Sequence, residues 1–375
     1  MPPLPRPQIP VPPALRRAVV IGAGSFGTAV AVLLARGGLR TTLQTRTPEQ
    51  AAELNERREN HIYLPGVELP KELRIEPAAN GLGRAELVFL AVPSARMLEV
   101  IAGLEPAGLS RRASLVSLSK GLVPPAGAAP TVLLRERFGA ARVACVGGPA
   151  HAQEMVREGA GLVAAASEEA LASLIASVFI RAGVVCERSD DPVGVELAGA
   201  AKNAAALAAG ATEAQGLNAA GAASGHIFAE VWRYAERQGA RPESMIGLAG
   251  TGDLVATALA PQSRNRRAGE LLAVGVPAGE IPAQIGQAVE ALESVPLLAR
   301  ALAEAGIEAP VTSALSRLIG GELPLAEWVA LVRATVPPPA RWRPVRAVPR
   351  GALGRAATRL RERFGRGESL RESPE

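Results

Sequence analysis

A glycine-rich turn between a short apolar strand and a long apolar helix constrains this chain more than any other feature. In VVIGAGSFGTAVAVLL, Gly22, Gly24 and Gly27 stand at the spacing GxGxxG. The first glycine permits the tight turn, the second exposes backbone that a pyrophosphate can approach, and the third lets the helix pack close to the strand. Because a helix N-terminus attracts phosphate, the pattern predicts a dinucleotide-binding fold.

Strand and helix signals divide the chain into two parts. Up to about residue 187, short apolar runs alternate with amphipathic stretches, which predicts an α/β class with a Rossmann-type, doubly wound parallel sheet. From about Asp190 the alanine-rich sequence lacks strand runs, which predicts a mostly α-helical C-terminal domain. The predicted domains are a proline-rich, disordered N-terminus (1–14), a NAD(P)-binding Rossmann domain (15–188), a helical substrate domain (189–336) and a basic, mostly disordered tail (337–375) with a helix near 352–364.

Composition and charge exclude several classes of protein. The chain has 375 residues and 48% apolar content, enough for two ordinary domain cores. The formal net charge of the chain is +5. Residues 341–375 hold ten Arg and four Glu, which is more positive than the whole chain, so the other residues are nearly neutral. No specific nucleic-acid partner is therefore predicted. No apolar run is long enough to span a membrane. Cys145 and Cys186 lie in apolar runs without a metal or disulfide pattern, which predicts structural thiols, no metal site and a reducing, cytoplasmic location.

Arg46 bears on the choice of cofactor. It follows the second predicted strand, TTLQT, where NAD-preferring sheets usually place an acidic residue for the ribose hydroxyls. An arginine there can pair with a 2′-phosphate. An exposed loop arginine is the alternative, so the predicted cofactor is NADP(H) or NAD(H).

Lys202 is the second strong signal in the sequence. It lies in VELAGAAKNAAALAAGA, a predicted helix that is apolar on every side. An ammonium buried there without a role would cost several kcal/mol. Burial and a neighbouring cation would lower its pKa toward the working pH of a general acid and base. Lys120, just beyond a strand end in SLSKGL, is a candidate for that neighbour, and an ordinary loop lysine is the alternative.

The segment that begins at Gly247 suggests a phosphorylated ligand. Asp253 follows a glycine-rich turn, and Ser263, Arg264 and Asn265 offer donors of the kind that phosphate oxygens accept. The alternatives are that Asp253 is a helix N-cap and that the arginines form a solvated helix face.

These segments, in this order, resemble the NAD(P)-dependent glycerol-3-phosphate dehydrogenase family. The resemblance runs from about Val19 to Gly320 and is carried by GAGSFGTA, HIYLPGVELP, FLAVPS, SLSKGL, GGPAHAQE, GVELAGAAKN, GLAGTGDLV, SRNRR and IGQAVEALES. It implies hydride transfer between dihydroxyacetone phosphate and sn-glycerol 3-phosphate for glycerophospholipid precursor synthesis. A small phosphorylated substrate is the expected partner. A homodimer is one possible assembly.

The resemblance also implies roles for individual residues. Lys202 becomes the proton donor and acceptor, and Lys120 and Asp253 complete the catalytic set. The implied substrate-binding positions are Lys120, Gly148, Ala150, Lys202, Asp253, Ser263, Arg264 and Asn265. The implied cofactor-binding positions are Gly22, Gly24, Ser25, Phe26, Gly27, Arg46, Lys120, Ala152, Arg264 and Glu290.

Three positions depart from the family pattern. Ala150 stands where the family has Ser or Thr, Ala220 stands where it has a basic residue, and His226 stands where it has arginine. The chain is also two residues shorter between Gly210 and Asn218. All these changes fall on the expected substrate side. Two alternatives therefore stay open: a dehydrogenase for another small phosphorylated hydroxy substrate, and a catalytically weak, NAD(P)-binding regulatory paralogue.

Overall fold

The computed structural model describes residues 17–336. Its residues through Thr335 belong to one compact unit. The N-terminus predicted over 1–14 and the tail predicted over 337–375, with its helix near 352–364, lie outside the described residues.

The first half of the described chain forms one large sheet, flanked by helices. Its strands follow the order β10-β9-β8-β7-β6-β1-β2-β5, and every neighbouring pair except β8 and β9 is parallel. The predicted Rossmann-type sheet is therefore confirmed. The strands are β1 (Arg17–Ile21), β2 (Arg40–Thr45), β3 (Glu59–Asn60), β4 (Leu64–Glu68), β5 (Arg74–Pro77), β6 (Leu87–Leu90), β7 (Ser114–Ser117), β8 (Val143–Gly147), β9 (Gly161–Ala166) and β10 (Val185–Ser189), of which β3 and β4 pair separately.

One neighbouring pair in the predicted parallel sheet, β8 and β9, is antiparallel. Strand β9, GLVAAA, pairs antiparallel with β8 and parallel with β10. Alanine has little β-propensity, so the run carries no strand signal in the sequence and its register depends on the neighbours that cover it. The short strands β3, β4 and β5 were also not predicted.

The helices separate into a set around the sheet and a set that follows it. After β10 the described chain is helical to its end, which confirms the predicted helical C-terminal region. The helices are α1 (Ser25–Arg36), α2 (Pro48–Arg57), α3 (Met97–Leu104), α4 (Pro130–Phe138), α5 (Ala152–Arg157), α6 (Glu169–Arg181), α7 (Pro192–Thr212), α8 (Leu217–Arg237), α9 (Pro242–Ile246), α10 (Asp253–Leu259), α11 (Arg264–Ala273), α12 (Ile281–Ile285), α13 (Glu290–Glu304), α14 (Pro310–Ile319) and α15 (Leu325–Ala334).

Helix α7 is the centre of the helical part. Almost all of its residues are buried, alanines above all. Alanine is a strong helix former with a small side chain, so neighbouring helices can approach closely. The backbones of α7 and α11 contact each other at Gly210 and Gly269. They are so close there that a β-carbon on either residue would collide with the other helix. This contact holds the start of α11 beside the lysine-bearing part of α7.

Both cysteines are buried and unpaired. Burial raises the pKa of the Cys186 thiol to about 12 and raises that of Cys145 well above its ordinary value. Reactive thiolates need the opposite shift. Within residues 17–336, no helix is long and apolar enough to cross a membrane.

Candidate active site

The glycine turn after β1 has the geometry that its spacing predicts. Gly22 has φ +109°, and a β-carbon there would collide with the carbonyl of Ala91. A β-carbon on Gly27 would collide with the carbonyl of Gly22. Gly24 differs, because it caps α1 with φ −77° and a β-carbon would meet nothing within 4 Å. The fold thus requires the first and third glycines, whereas at the second the backbone faces open space at the N-terminus of α1.

Two lysines from different parts of the chain meet on one buried carboxylate. Lys120 follows β7, and its Nζ lies 2.6 Å from Oδ2 of Asp253 and donates to the carbonyl oxygen of Gly148 at 2.8 Å. Lys202 comes from the middle of α7, and its Nζ lies 3.4 Å from Oδ1 of Asp253. Thr257, one turn along α10, accepts from Lys202 Nζ at 3.1 Å and donates to Asp253 at 3.3 Å.

Burial and neighbouring charges lower the pKa values of both Lys202 and Asp253. Burial lowers the pKa of Lys202, and Lys120 lowers it further, against the opposing effects of Asp253 and Glu290. Burial alone would raise the pKa of Asp253, but Lys120 and Lys202 together hold it below its ordinary value. Asp253 therefore stays ionised, while Lys202 moves toward the range in which an amine can exchange a proton near neutral pH.

One face of α7 holds the segment that carries Lys120. Glu196, Gly199 and Asn203 lie on this face because they are three and four residues apart. Glu196 accepts from the backbone N–H of Thr131 at 3.0 Å and from its hydroxyl, at the start of α4. A β-carbon on Gly199 would stand 3.3 Å from Cβ of Lys120, and the Asn203 amide donates to the Lys120 carbonyl oxygen at 2.9 Å. The helix that supplies Lys202 therefore also fixes the position of Lys120.

A chain of amides connects this pair to α11 and α13. The Asn203 amide donates to Oε2 of Glu290 at 2.9 Å, and its oxygen accepts from the Asn265 amide at 2.7 Å. The oxygen of Asn265 accepts from the backbone N–H of Ala291 at 3.2 Å. These bonds bring Asn265 and Glu290 beside the lysine pair.

The other predicted phosphate ligands have local partners. Ser263 caps α11, accepting from the backbone N–H of Arg266, so its hydroxyl hydrogen is free to donate. Arg264 is exposed and donates to the carbonyl oxygen of Ala288 at 3.0 Å. Of the three arginines in the alternative of a solvated helix face, Arg264 and Arg267 are exposed, whereas Arg266 forms ion pairs with Glu213 and Glu270. The N-cap alternative for Asp253 is wrong, since Gly252 occupies that position.

The remaining predicted positions lie at the start of α1, in and just before α5, and just after β2. Ser25 and Phe26 open α1, and the Phe26 ring lies 5.5 Å from Lys120 Nζ, close enough for a cation–π contact. Ala150 is half-buried and Ala152 opens α5. Arg46 is exposed at the end of β2.

Two of the departing positions lie on α8. Ala220 and His226 are half-buried there. Among residues 17–336, no hydrogen bond connects the His226 side chain to the lysine pair, and the Ala220 methyl group cannot form one.

Sequence reasoning missed Asn203 and Thr257. Each carries a signal: Asn203 is a polar residue next to Lys202 in an apolar helix, and Thr257 is four residues after Asp253 and so on the same helix face. A third signal is composition. The chain has only three lysines, Lys71, Lys120 and Lys202, and two of them meet in this cluster.

Comparison with known proteins decides the family. The profile described as NAD-dependent glycerol-3-phosphate dehydrogenase N-terminus matches residues 17–172, and that of its C-terminus matches residues 191–330. The glycerol-3-phosphate dehydrogenase, NAD(P)+, of Deinococcus radiodurans is 38% identical over 314 residues, which are 83% of this chain and 92% of that protein. The chain belongs to the NAD-dependent glycerol-3-phosphate dehydrogenase family.

Other relatives of this dehydrogenase agree with that assignment. The glycerol-3-phosphate dehydrogenase, NAD(P)+, of Thermus thermophilus is 39% identical over 322 residues, 84% of this chain and 98% of that protein. The crystal structure of glycerol-3-phosphate dehydrogenase from Coxiella burnetii has a TM-score of 0.80 at 28% identity, covering 86% of this chain and 99% of that one. In the part of this dehydrogenase that the structure describes, no group of three or more His, Cys, Asp or Glu side chains is placed to hold a metal ion.

Proposed function

We propose that the chain is an NAD(P)-dependent sn-glycerol-3-phosphate dehydrogenase that interconverts dihydroxyacetone phosphate and sn-glycerol 3-phosphate, for glycerophospholipid precursor synthesis. The observation that carries the proposal is the buried Lys120–Asp253–Lys202 cluster in a member of this family. The dinucleotide-binding role is assigned to residues 15–188 and the substrate role to residues 189–336.

The residues around the glycine turn fit a dinucleotide. Gly24 leaves open backbone at the N-terminus of the twelve-residue helix α1, where a pyrophosphate is stabilised by free N–H groups and the helix dipole. Ser25 and Phe26 extend the same surface. Arg46 would meet a 2′-phosphate, and Ala152, Arg264 and Glu290 complete the cofactor positions. When bound, the nicotinamide supplies or accepts the hydride.

Lys202 is assigned the proton transfer. In the reducing direction, its ammonium gives a proton to the carbonyl oxygen of dihydroxyacetone phosphate as the hydride reaches the carbon, and the product hydroxyl forms. In the oxidising direction the neutral amine takes that proton back. Burial and Lys120 lower the pKa of Lys202, which makes the neutral amine more accessible and so supports proton exchange in both directions.

Lys120 and Asp253 are assigned to electrostatics and orientation. Lys120 lies beside the developing alkoxide and polarises the carbonyl. Asp253 holds both ammonium groups and fixes their separation. Ser263, Arg264 and Asn265 are assigned to the substrate phosphate, with Gly148 and Ala150 along the wall. Binding energy from the phosphate thereby positions the reacting carbon.

The test is NAD(P)H oxidation with dihydroxyacetone phosphate by wild type and by Lys202→Met. We expect the variant to lose at least about a hundredfold of kcat and to bind NADPH within a few fold of wild type. Lys71→Met is the matched control, because Lys71 is exposed and lies outside the cluster. Arg264→Ala should mainly raise the KM for dihydroxyacetone phosphate. Equal kcat values for Lys202→Met and wild type would remove the proton-transfer role.

Two alternatives follow from the departures at Ala150, Ala220 and His226. If the wild type binds NADPH but leaves dihydroxyacetone phosphate unreduced, the substrate side accepts another small phosphorylated hydroxy substrate, or the protein is a weak regulatory paralogue. A screen of small phosphorylated ketones and aldehydes separates the two, since only a dehydrogenase will oxidise NADPH with one of them.

The assembly and location are also proposals. A homodimer is supported by the large apolar side chains that stay exposed on the helical part, Leu217 at 81%, Ile246 at 72% and Leu259 at 73%. A cytoplasmic location is supported by two free, buried cysteines. No specific nucleic-acid partner is proposed. Sedimentation velocity and cell fractionation test the first two statements.

A further inference from the structure

Three neighbouring strands of the sheet each begin with an arginine. Arg17 opens β1, Arg40 opens β2 and Arg74 opens β5, at one edge of the sheet. Arg17 pairs directly with Arg40, and Arg74 pairs with Thr42, two residues along from Arg40. Because strand side chains alternate between faces and neighbours in register share a face, all three arginines point to the same side.

A cavity of about 420 Å³ lies at these strand starts. The loop before β6 lines one side of it and adds a fourth arginine, Arg84. Glu72 and Glu76 also line the cavity, so the lining carries more positive than negative charge. The glycine turn follows the C-terminal end of β1, whereas this cavity lies at its N-terminal end, so the two sites are at opposite edges of the sheet.

Among residues 17–336, none of the four guanidinium groups forms a hydrogen bond or an ion pair through its side chain. Some exposed arginines elsewhere pair with carboxylates, as Arg96 does with Glu99 and Arg241 with Asp190. Arg17 and Arg40 place like charges on directly paired strand residues, a repulsion that a bound anion would relieve.

We propose that this cavity binds a small polyanion that carries two or more phosphate groups. Guanidinium forks match phosphate oxygens in pairs, and several arginines around one cavity favour a ligand with more than one anionic group. The volume is in the range of small-ligand sites. Glu72 and Glu76 are acceptors that can receive hydroxyl or amine donors of the same ligand. The phosphates could belong to a free polyphosphorylated molecule or to an acidic lipid headgroup, since the recognition chemistry is the same. The site does not depend on the proposed dehydrogenase activity.

The first experiment is calorimetric titration with tripolyphosphate. NADPH is kept saturating, so that the dinucleotide site is occupied. The double variant Arg40→Gln/Arg74→Gln should bind tripolyphosphate at least tenfold more weakly than wild type. The control Arg317→Gln/Arg333→Gln removes the same charge from exposed positions on α14 and α15 and should stay within twofold.

Thermal unfolding supplies a second readout. Without ligand, Arg40→Gln/Arg74→Gln should melt at or above the temperature of wild type, because the like-charge repulsion is reduced. Tripolyphosphate should raise the melting temperature of wild type and of the control, and leave that of the double variant unchanged.

Vesicle sedimentation distinguishes the two sources of phosphate. Phosphatidylcholine vesicles are compared with and without cardiolipin, whose headgroup carries two phosphate groups. Sedimentation of wild type with the acidic vesicles, lost in Arg40→Gln/Arg74→Gln, together with no tripolyphosphate binding, assigns the site to a lipid headgroup. Tripolyphosphate binding without sedimentation assigns it to a free ligand. The proposal is overturned if neither probe binds, or if both double variants weaken binding equally, since that result means nonspecific attraction to positive charge.

Discussion

Asp253→Asn should be among the most destabilising substitutions that keep the shape of a side chain in this protein. The change removes one negative charge that lies 2.6 Å from Lys120 Nζ and 3.4 Å from Lys202 Nζ. Asp253 is 3% exposed, and the Lys120 and Lys202 side chains are 13% and 9% exposed, so water does little to screen the two cations that remain.

The size of the effect follows from those distances. At an effective dielectric constant of about 20, Coulomb's law gives roughly 6 and 5 kcal/mol for the two pairs, most of which offsets the desolvation of three charges. Removing one partner of a buried pair typically costs about 3–5 kcal/mol. We expect the cost to move toward the lower end of that range as the pH rises, because Lys202, whose pKa is lowered by burial and by Lys120, then releases its proton and relieves the repulsion from Lys120. A loss of that size is a large part of the roughly 5–15 kcal/mol that stabilises an ordinary domain.

The assay is urea unfolding of both proteins between pH 7 and pH 10. Burial lowers the pKa of Lys202 in the folded protein. Between that value and the ordinary lysine value the unfolded chain binds more protons, so stability rises with pH. Without Asp253 the pKa of Lys202 falls further, and the difference between variant and wild type should narrow as the pH rises.

Asp190→Asn is the matched control for this experiment. Asp190 lies 2.6 Å from Arg241, but both side chains are more than half exposed. Exposed ion pairs contribute about 0–1 kcal/mol, so this variant should stay close to wild type. If Asp253→Asn and Asp190→Asn cost the same, or if the cost of Asp253→Asn does not vary with pH, the account of the lysine pair is refuted.

Three further predictions use other parts of the structure. Arg46→Ala should weaken NADPH binding and leave NADH binding unchanged, and an unchanged ratio of the two dissociation constants would contradict it. Gly27→Ala should lower the melting temperature without cofactor, because the new β-carbon collides with Gly22, whereas Gly24→Ala should leave it unchanged and weaken NADPH binding. Burial raises the pKa of Glu196 to about 7. Between about pH 4.5 and pH 7 the folded state therefore binds more protons than the unfolded state. As the pH rises through this range, the free energy of unfolding of wild type should fall by about 3 kcal/mol relative to that of Glu196→Gln. Parallel stability curves for those two proteins would show that Glu196 does not titrate in this range.

The sequence alone determines the parts of this protein whose physical cause is local. The GxGxxG spacing predicts the turn after β1, because backbone conformation and close packing at Gly22 and Gly27 depend on neighbours in the chain. The apolar helix around Lys202 predicts a buried lysine, since any side chain in that position is enclosed. Composition supports the same inference. Only three of the 41 Lys and Arg residues are lysines, and of the two types only lysine can exchange a proton, because arginine keeps its charge.

Tertiary structure decides what depends on residues far apart in the chain. Lys120 and Asp253 are 133 positions apart, and no local pattern indicates that they meet at 2.6 Å. Strand β9 likewise takes its antiparallel register from β8 rather than from its own alanines. The arginines that open β1, β2 and β5 are unremarkable in the sequence and become one positive cluster only when their strands pair. Distances between elements, and with them pKa shifts and binding sites, are set by packing, because charge and burial act through space rather than along the chain.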